Sequence, residues 1–165
     1  QLMATDHLNN VERTLIDNLR TGSFTGGTAW SSSDITVFGQ FPEPEDIKYP
    51  CIVLEMVANG MEQQFIGMNV DGKTGELYGV GFRLHLAVER DSSITVGSTP
   101  YKQRRLLNYL MLQTANVLMD CDFASSGTEI DNRTFGGFSD IGYNDSLEVW
   151  SASTTFLMTF KNTRT

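Results

Sequence analysis

The sequence is short of several things, and each shortage narrows what the chain does. No apolar run approaches the ~20 residues that a membrane-spanning helix needs, so no membrane partner is expected. Cysteine occurs twice, at Cys51 and Cys121. The two lie far apart and form no framework, which points to reduced, partly buried thiols in a protein made in the cytoplasm. Histidine also occurs twice, at His7 and His85, which leaves little imidazole for acid–base or metal chemistry. Cations are few: 12 Lys and Arg stand against 20 Asp and Glu, for a net charge of −8. Such a chain is a poor general binder of DNA, RNA or an anionic membrane, because phosphates repel it. The opening "QLMATDHLNN" lacks the basic region and apolar core of a secretory signal. The glycosylation-type triplets at Asn132 and Asn144 therefore carry no weight.

What is present is alternation. In "GELYGVGFRLHLAVERD", Gly75 to Asp91, every second residue is apolar: Tyr78, Val80, Phe82, Leu84, Leu86, Val88. This is a strand with one buried face. From Glu76 to Arg90 it would run roughly 50 Å at about 3.3 Å per residue, whereas a compact chain of this size is about 40 Å across. The closing "LEVWSASTTFLMTFK" repeats the pattern over a similar length. Long strands that outrun one body are read here as surface for neighbouring copies. A bend at Gly79 and Gly81 is the intramolecular alternative.

Around these strands lie the other elements. Asp6 to Thr21 is predicted as an amphipathic helix on the spacing of Leu8, Val11, Leu15, Ile16 and Leu19, with Gly22 as its stop. A second helix is predicted from an N-cap at Thr99, with Pro100 in the first helical position, to about Met119. The Gly/Ser/Thr-rich stretch 21–33 reads as a flexible loop. Its Phe24 and Trp30 either fold back on the body or wait for a partner. Ile35 to Phe38 suits a strand, and "PEPEDIKYP" an acidic, proline-bounded turn. "CIVLEMV" is a short apolar strand, followed by a two-residue hairpin turn at Asn59-Gly60, a return strand "MEQQFIGMNV" and a turn at "DGKTGE". The order of elements predicts a single α+β domain over 1–165: a mostly antiparallel, curled β-sheet with two α-helices packed on one face.

No catalytic constellation emerges, and neither cofactor nor metal is expected. "GFSDI" lacks the second glycine of a nucleophile elbow. "GVGFRL" lacks the third glycine of a dinucleotide fingerprint. His7, Cys51, His85 and Cys121 include no closely spaced ligand pair for zinc. One feature is physically odd. Lys102, Arg104 and Arg105 fall at the start of the second predicted helix, where the helix dipole disfavours cations by ~0.3–1 kcal/mol each. Besides a solvated face, the reading is that they meet acids of a neighbouring copy. Glu43, Glu45 and Asp46 are the main candidates, with Asp120 and Asp122 as others. Such pairs set register and orientation. Arg83 and His85, on the less apolar face of the long strand, join the candidate subunit interface.

The order of these elements resembles the tail terminator (tail completion) proteins of tailed bacteriophages. The features that carry the resemblance are the N-terminal amphipathic helix, "YPCIVLEMV", the hairpin, "GELYGVGFRLHLAVER", "TPYKQRRLLNYLMLQTANVLMD" and "SASTTFLMTFK". The resemblance implies a structural virion protein, not an enzyme, that forms a hexameric ring at the head-proximal end of the tail tube. It also implies two protein partners, the tail tube protein and a neck or head-completion protein. DNA would pass through the ring without specific binding. Other head–tail connector or tube proteins share this texture. The rival from another class is a small enzyme or ligand-binding module with a pocket near Tyr78, Arg83 and His85.

Overall fold

The computed structural model describes residues 4–64 and 74–164. Helix α1 spans His7–Thr21. Asp6 caps it by accepting the Asn9 backbone N–H, and the same contacts with Asn9 hold the Asp6 carboxyl below its usual pKa. Gly22 ends the helix at φ 63°, the left-handed conformation glycine adopts without a steric penalty. Both limits agree with the sequence reading.

The segment read as a flexible loop is tied to the body. Strands β1 (Ser23–Phe24) and β2 (Gly27–Thr28) form a small hairpin. Thr25 donates its backbone N–H and its hydroxyl to the Asp120 carbonyl. Trp30 is buried and gives its indole N–H to the Leu19 carbonyl at 2.8 Å. The aromatic therefore folds back on the helix it follows.

The main sheet contains β3 (Thr36–Phe38), β4 (Cys51–Gln64), β5 (Thr74–Glu89), β8 (Ile130–Phe138), β9 (Gly142–Asn144) and β10 (Val149–Arg164). Their order is β3-β4-β5-β10-β8, with β9 also on β10. All pairs are antiparallel except β3 with β4. A separate hairpin, β6 (Ser93–Val96) with β7 (Thr99–Lys102), leads into helix α2 (Gln103–Asp120).

One face of the sheet is sealed. Val80, Phe82, Leu84, Leu86 and Val88 of β5 and Phe156, Met158 and Phe160 of β10 are all buried. Val11, Leu15 and Leu19 of α1 and the α2 stripe through Leu106, Leu110 and Val117 close over them in one core. Each such side chain contributes ~1.5–3 kcal/mol of burial. The fold is thus α+β, with both helices on one side of a mostly antiparallel sheet.

Three expectations need correction. First, the surplus length of β5 and β10 is not a free edge. They pair with each other from Glu89↔Val149 to Thr74↔Arg164. β4 covers the other edge of β5, and β9 with β8 the other edge of β10. Second, Asn59-Gly60 is no turn. β4 runs straight through it to Gln64, and the expected return strand and turn fall largely on residues 65–73, outside the described residues. The misleading signal has a physical source. Register shifts between Met56 and Ala58, and between Met61 and Gln63, are β-bulges that break the alternation. Third, Thr99 and Pro100 belong to β7, and α2 begins at Gln103 with Lys102 in the capping position and no side-chain cap.

Candidate subunit interface

Strand parity decides what the open face of the sheet displays. On β5 the odd residues Gly81, Arg83, His85 and Ala87 point away from the helices, since their even neighbours fill the core. On β4, Val53 and Glu55 stand opposite His85 and Arg83, so Glu55 shares that face. Its Oε1 lies 3.5 Å from Arg83 Nη1 and 3.7 Å from His85 Nε2. Phe41 places its ring 5.3 Å from the imidazole, tilted by 49°. Arg83 and His85, expected to face another copy, gather around Glu55 within the molecule. Glu55 escaped the sequence reading, although a lone acid inside "CIVLEMV" is the sign that alternate residues of that strand leave the core.

The other expected interface residues make two separate groups. Lys102, Arg104 and Arg105 are all exposed at the start of α2. None of them has a salt bridge or side-chain hydrogen bond among the described residues. Glu43, Glu45 and Asp46 are equally exposed, around the short 3₁₀ turn Pro44–Asp46, and equally without a cationic partner there. The acidic turn follows Phe41 and so springs from the open face, whereas α2 belongs to the helix layer. The structure therefore does not bring the two groups together within one molecule. Asp122 accepts the Ala124 backbone N–H at 2.8 Å. Beside it Arg133 donates to the Leu118 and Cys121 carbonyls and lies over the Phe123 ring. A cation thus already serves the C-terminal end of α2, and the acidic turn is the better complement for the basic one.

Among the described residues, Tyr78, Arg83 and His85 do not line one common pocket. Tyr78 is an even residue on the helix side, where its ring lies 5.5 Å from Phe160 and its hydroxyl donates to Asn59 Oδ1. Arg83 and His85 are on the opposite face. A hollow of about 350 Å³ lies over the small residues Gly79 and Gly81 and is bordered by Asn59, Asn132, Thr134 and Leu157. It contains no titratable group. Among the described residues no three His, Cys, Asp or Glu side chains cluster as metal ligands, and no helix is long and apolar enough to cross a membrane. Cys51 and Cys121 are free and buried, and burial pushes both thiols up to about 11.

No protein-family model matches the chain, and no curated protein matches it.

Proposed function

We propose that this chain is a structural virion protein that assembles into a ring, of six copies on the family resemblance. The ring would sit at the head-proximal end of a phage tail tube, stop tube growth and present a docking surface to the neck. One observation carries the reading: three exposed cations and three exposed carboxylates on different parts of the surface find no opposite charge among the described residues of their own molecule. Each group supplies what the other lacks when Lys102, Arg104 and Arg105 of one copy meet Glu43, Glu45 and Asp46 of the next. A contact between two different patches is head-to-tail, and repetition gives a ring where the rotation between copies closes, the outcome proposed here, and an open filament where it does not.

Exposed pairs contribute only ~0–1 kcal/mol each, so these charges fix orientation while other surface supplies the area. The long strands no longer serve that purpose, but the sheet has two other edges. Past Val53 the outer edge of β4 has no partner among the described residues, and the outer edge of β8 has none either. Strand addition there satisfies backbone groups that water otherwise serves. The net charge of −8 lets DNA pass a lumen without adhering.

The test is light scattering on the purified protein beside the Arg104→Glu/Arg105→Glu variant. A ring-sized wild type and a folded, monomeric variant are expected. Normal assembly of the variant removes this interface, and a wild type that stays monomeric even with tail tubes removes the ring.

A further inference from the structure

His85 occupies an unusual position for an open-face residue. Its Nε2 is shielded from water yet has no hydrogen-bond partner among the described residues, because Glu55 Oε1 at 3.7 Å is just beyond reach. Its ring is held between that carboxylate and Phe41. Phe41 is itself 60% exposed and is the last large apolar residue before the acidic turn. With a neutral imidazole, Nε2 faces the carboxylate with either a lone pair or a dipolar N–H. With an imidazolium, the same atom carries a charged N–H toward Glu55, and the ring becomes a cation against the Phe41 π-face.

We propose that His85 is a pH-operated clasp on the acidic turn: protonated, it grips Glu55 on one side and Phe41 on the other and pins the 39–50 segment to the sheet; neutral, it lets that segment loosen. The clasp regulates the interface of the preceding section and in that respect rests on it, since the segment carries Glu43, Glu45 and Asp46. The surrounding charges define its sign. β4 presents Glu55, and Cys51, whose thiol is neutral throughout this range. β5 itself presents Arg83, which shares Glu55 Oε1 and opposes a second cation, and Glu89 further along. β10 places the uncharged Ser153 opposite His85. The held segment adds Glu43, Glu45, Asp46, Lys48 and Tyr49. Glu55 is the charged group in direct contact with the imidazole, at 3.7 Å, so protonation tightens that contact. Imidazole is also the side chain that changes charge between pH 5 and 8.

Hydrogen exchange of the purified full chain at pH 5.5 and pH 8, corrected for intrinsic rates, tests the clasp apart from the ring. Amides of 39–50 are expected to be roughly three- to tenfold better protected at pH 5.5. The difference should vanish in His85→Gln and in Phe41→Leu, with the protection of β5 and β10 amides unchanged. Equal protection at both pH values, or a pH difference that survives His85→Gln, overturns the clasp. Because exchange is read on the monomer as well as on assembled protein, the clasp stands or falls on this result. The ring is judged separately, by light scattering of the same samples.

Discussion

At the scale of single residues, Gly22 and Trp30 carry more than their loop position indicates. A Cβ at Gly22 would fall 2.9 Å from the Trp30 backbone nitrogen, at a φ of 63° that already excludes most side chains. Gly22→Ala therefore combines backbone strain with a steric clash, and a loss of about 1–3 kcal/mol is expected. Trp30→Phe retains much of the buried ring but removes the shorter of two bonds to the Leu19 carbonyl, which keeps only the Gly22 N–H at 3.3 Å, at a cost of about 0.5–1.5 kcal/mol. Urea denaturation measures both, and a loss under ~0.5 kcal/mol for either would show that the segment is not anchored there. The two cysteines make a different prediction. Burial raises each thiol from 9.0 to about 11, so above pH 9 the unfolded chain releases thiol protons that the folded chain keeps. Stability contributed by the neutral thiols is complete below 9 and is lost as pH rises toward 11. Correspondingly, iodoacetamide at pH 8 should label neither cysteine in native protein and both in urea. Rapid native labelling of Cys51 or Cys121 would contradict their burial.

At the scale of elements, the joint between β7 and α2 is where local chemistry and fold disagree. Gln103 opens α2 at φ 52°, a region an ordinary L-residue enters at a cost of roughly 1–2 kcal/mol. Gln103→Gly removes that penalty and adds the unfolded-state entropy of glycine, for a net gain of about 0.5–1 kcal/mol. That corresponds to about 1–4 °C in Tm at this chain length; a lower Tm would show that Gln103 is unstrained. The same joint explains a failure of sequence reading. Thr99-Pro100 has the composition of a helix start, but Ile94 and Tyr101 need apolar neighbours. Ile94 is fully buried, and Tyr101 stacks on Tyr109 at 4.7 Å. Packing of the β6–β7 hairpin thus overrides local propensity. β4 misled in the other direction, because its bulges imitate the end of a strand and Asn59-Gly60 imitates a turn. Elements with an unbroken period were legible: α1 to within a residue, and β5 and β10 nearly to their ends. The basic and acidic groups were legible as charge runs. Glu55 was not, because its role depends on a cross-strand register that no local pattern encodes.

At the scale of the whole molecule, the charge pattern makes a prediction stronger than loss of assembly. Reversing the basic turn (Lys102→Glu, Arg104→Glu, Arg105→Glu) yields a chain with two acidic patches. Reversing the acidic turn (Glu43→Lys, Glu45→Lys, Asp46→Lys) yields one with two basic patches. Neither should associate with itself, since like charges would meet at every contact. Mixed in equal amounts they should associate, because each contact then joins an acidic patch to a basic one. Copies of the two kinds must alternate around the ring, so the ring holds an even number of subunits in equal proportion, a condition that six copies satisfy. Native mass spectrometry reads that stoichiometry directly. The mixed rings should also lose their strict alternation as salt rises from about 0.05 to 0.5 M, because screening, with a Debye length of ~10 Å at 0.1 M and shorter above it, removes the charge preference while the other contact surface remains. A mixture that stays monomeric while wild type forms rings would show that these two patches never meet. An odd subunit number would show that the charges do not govern the order of copies.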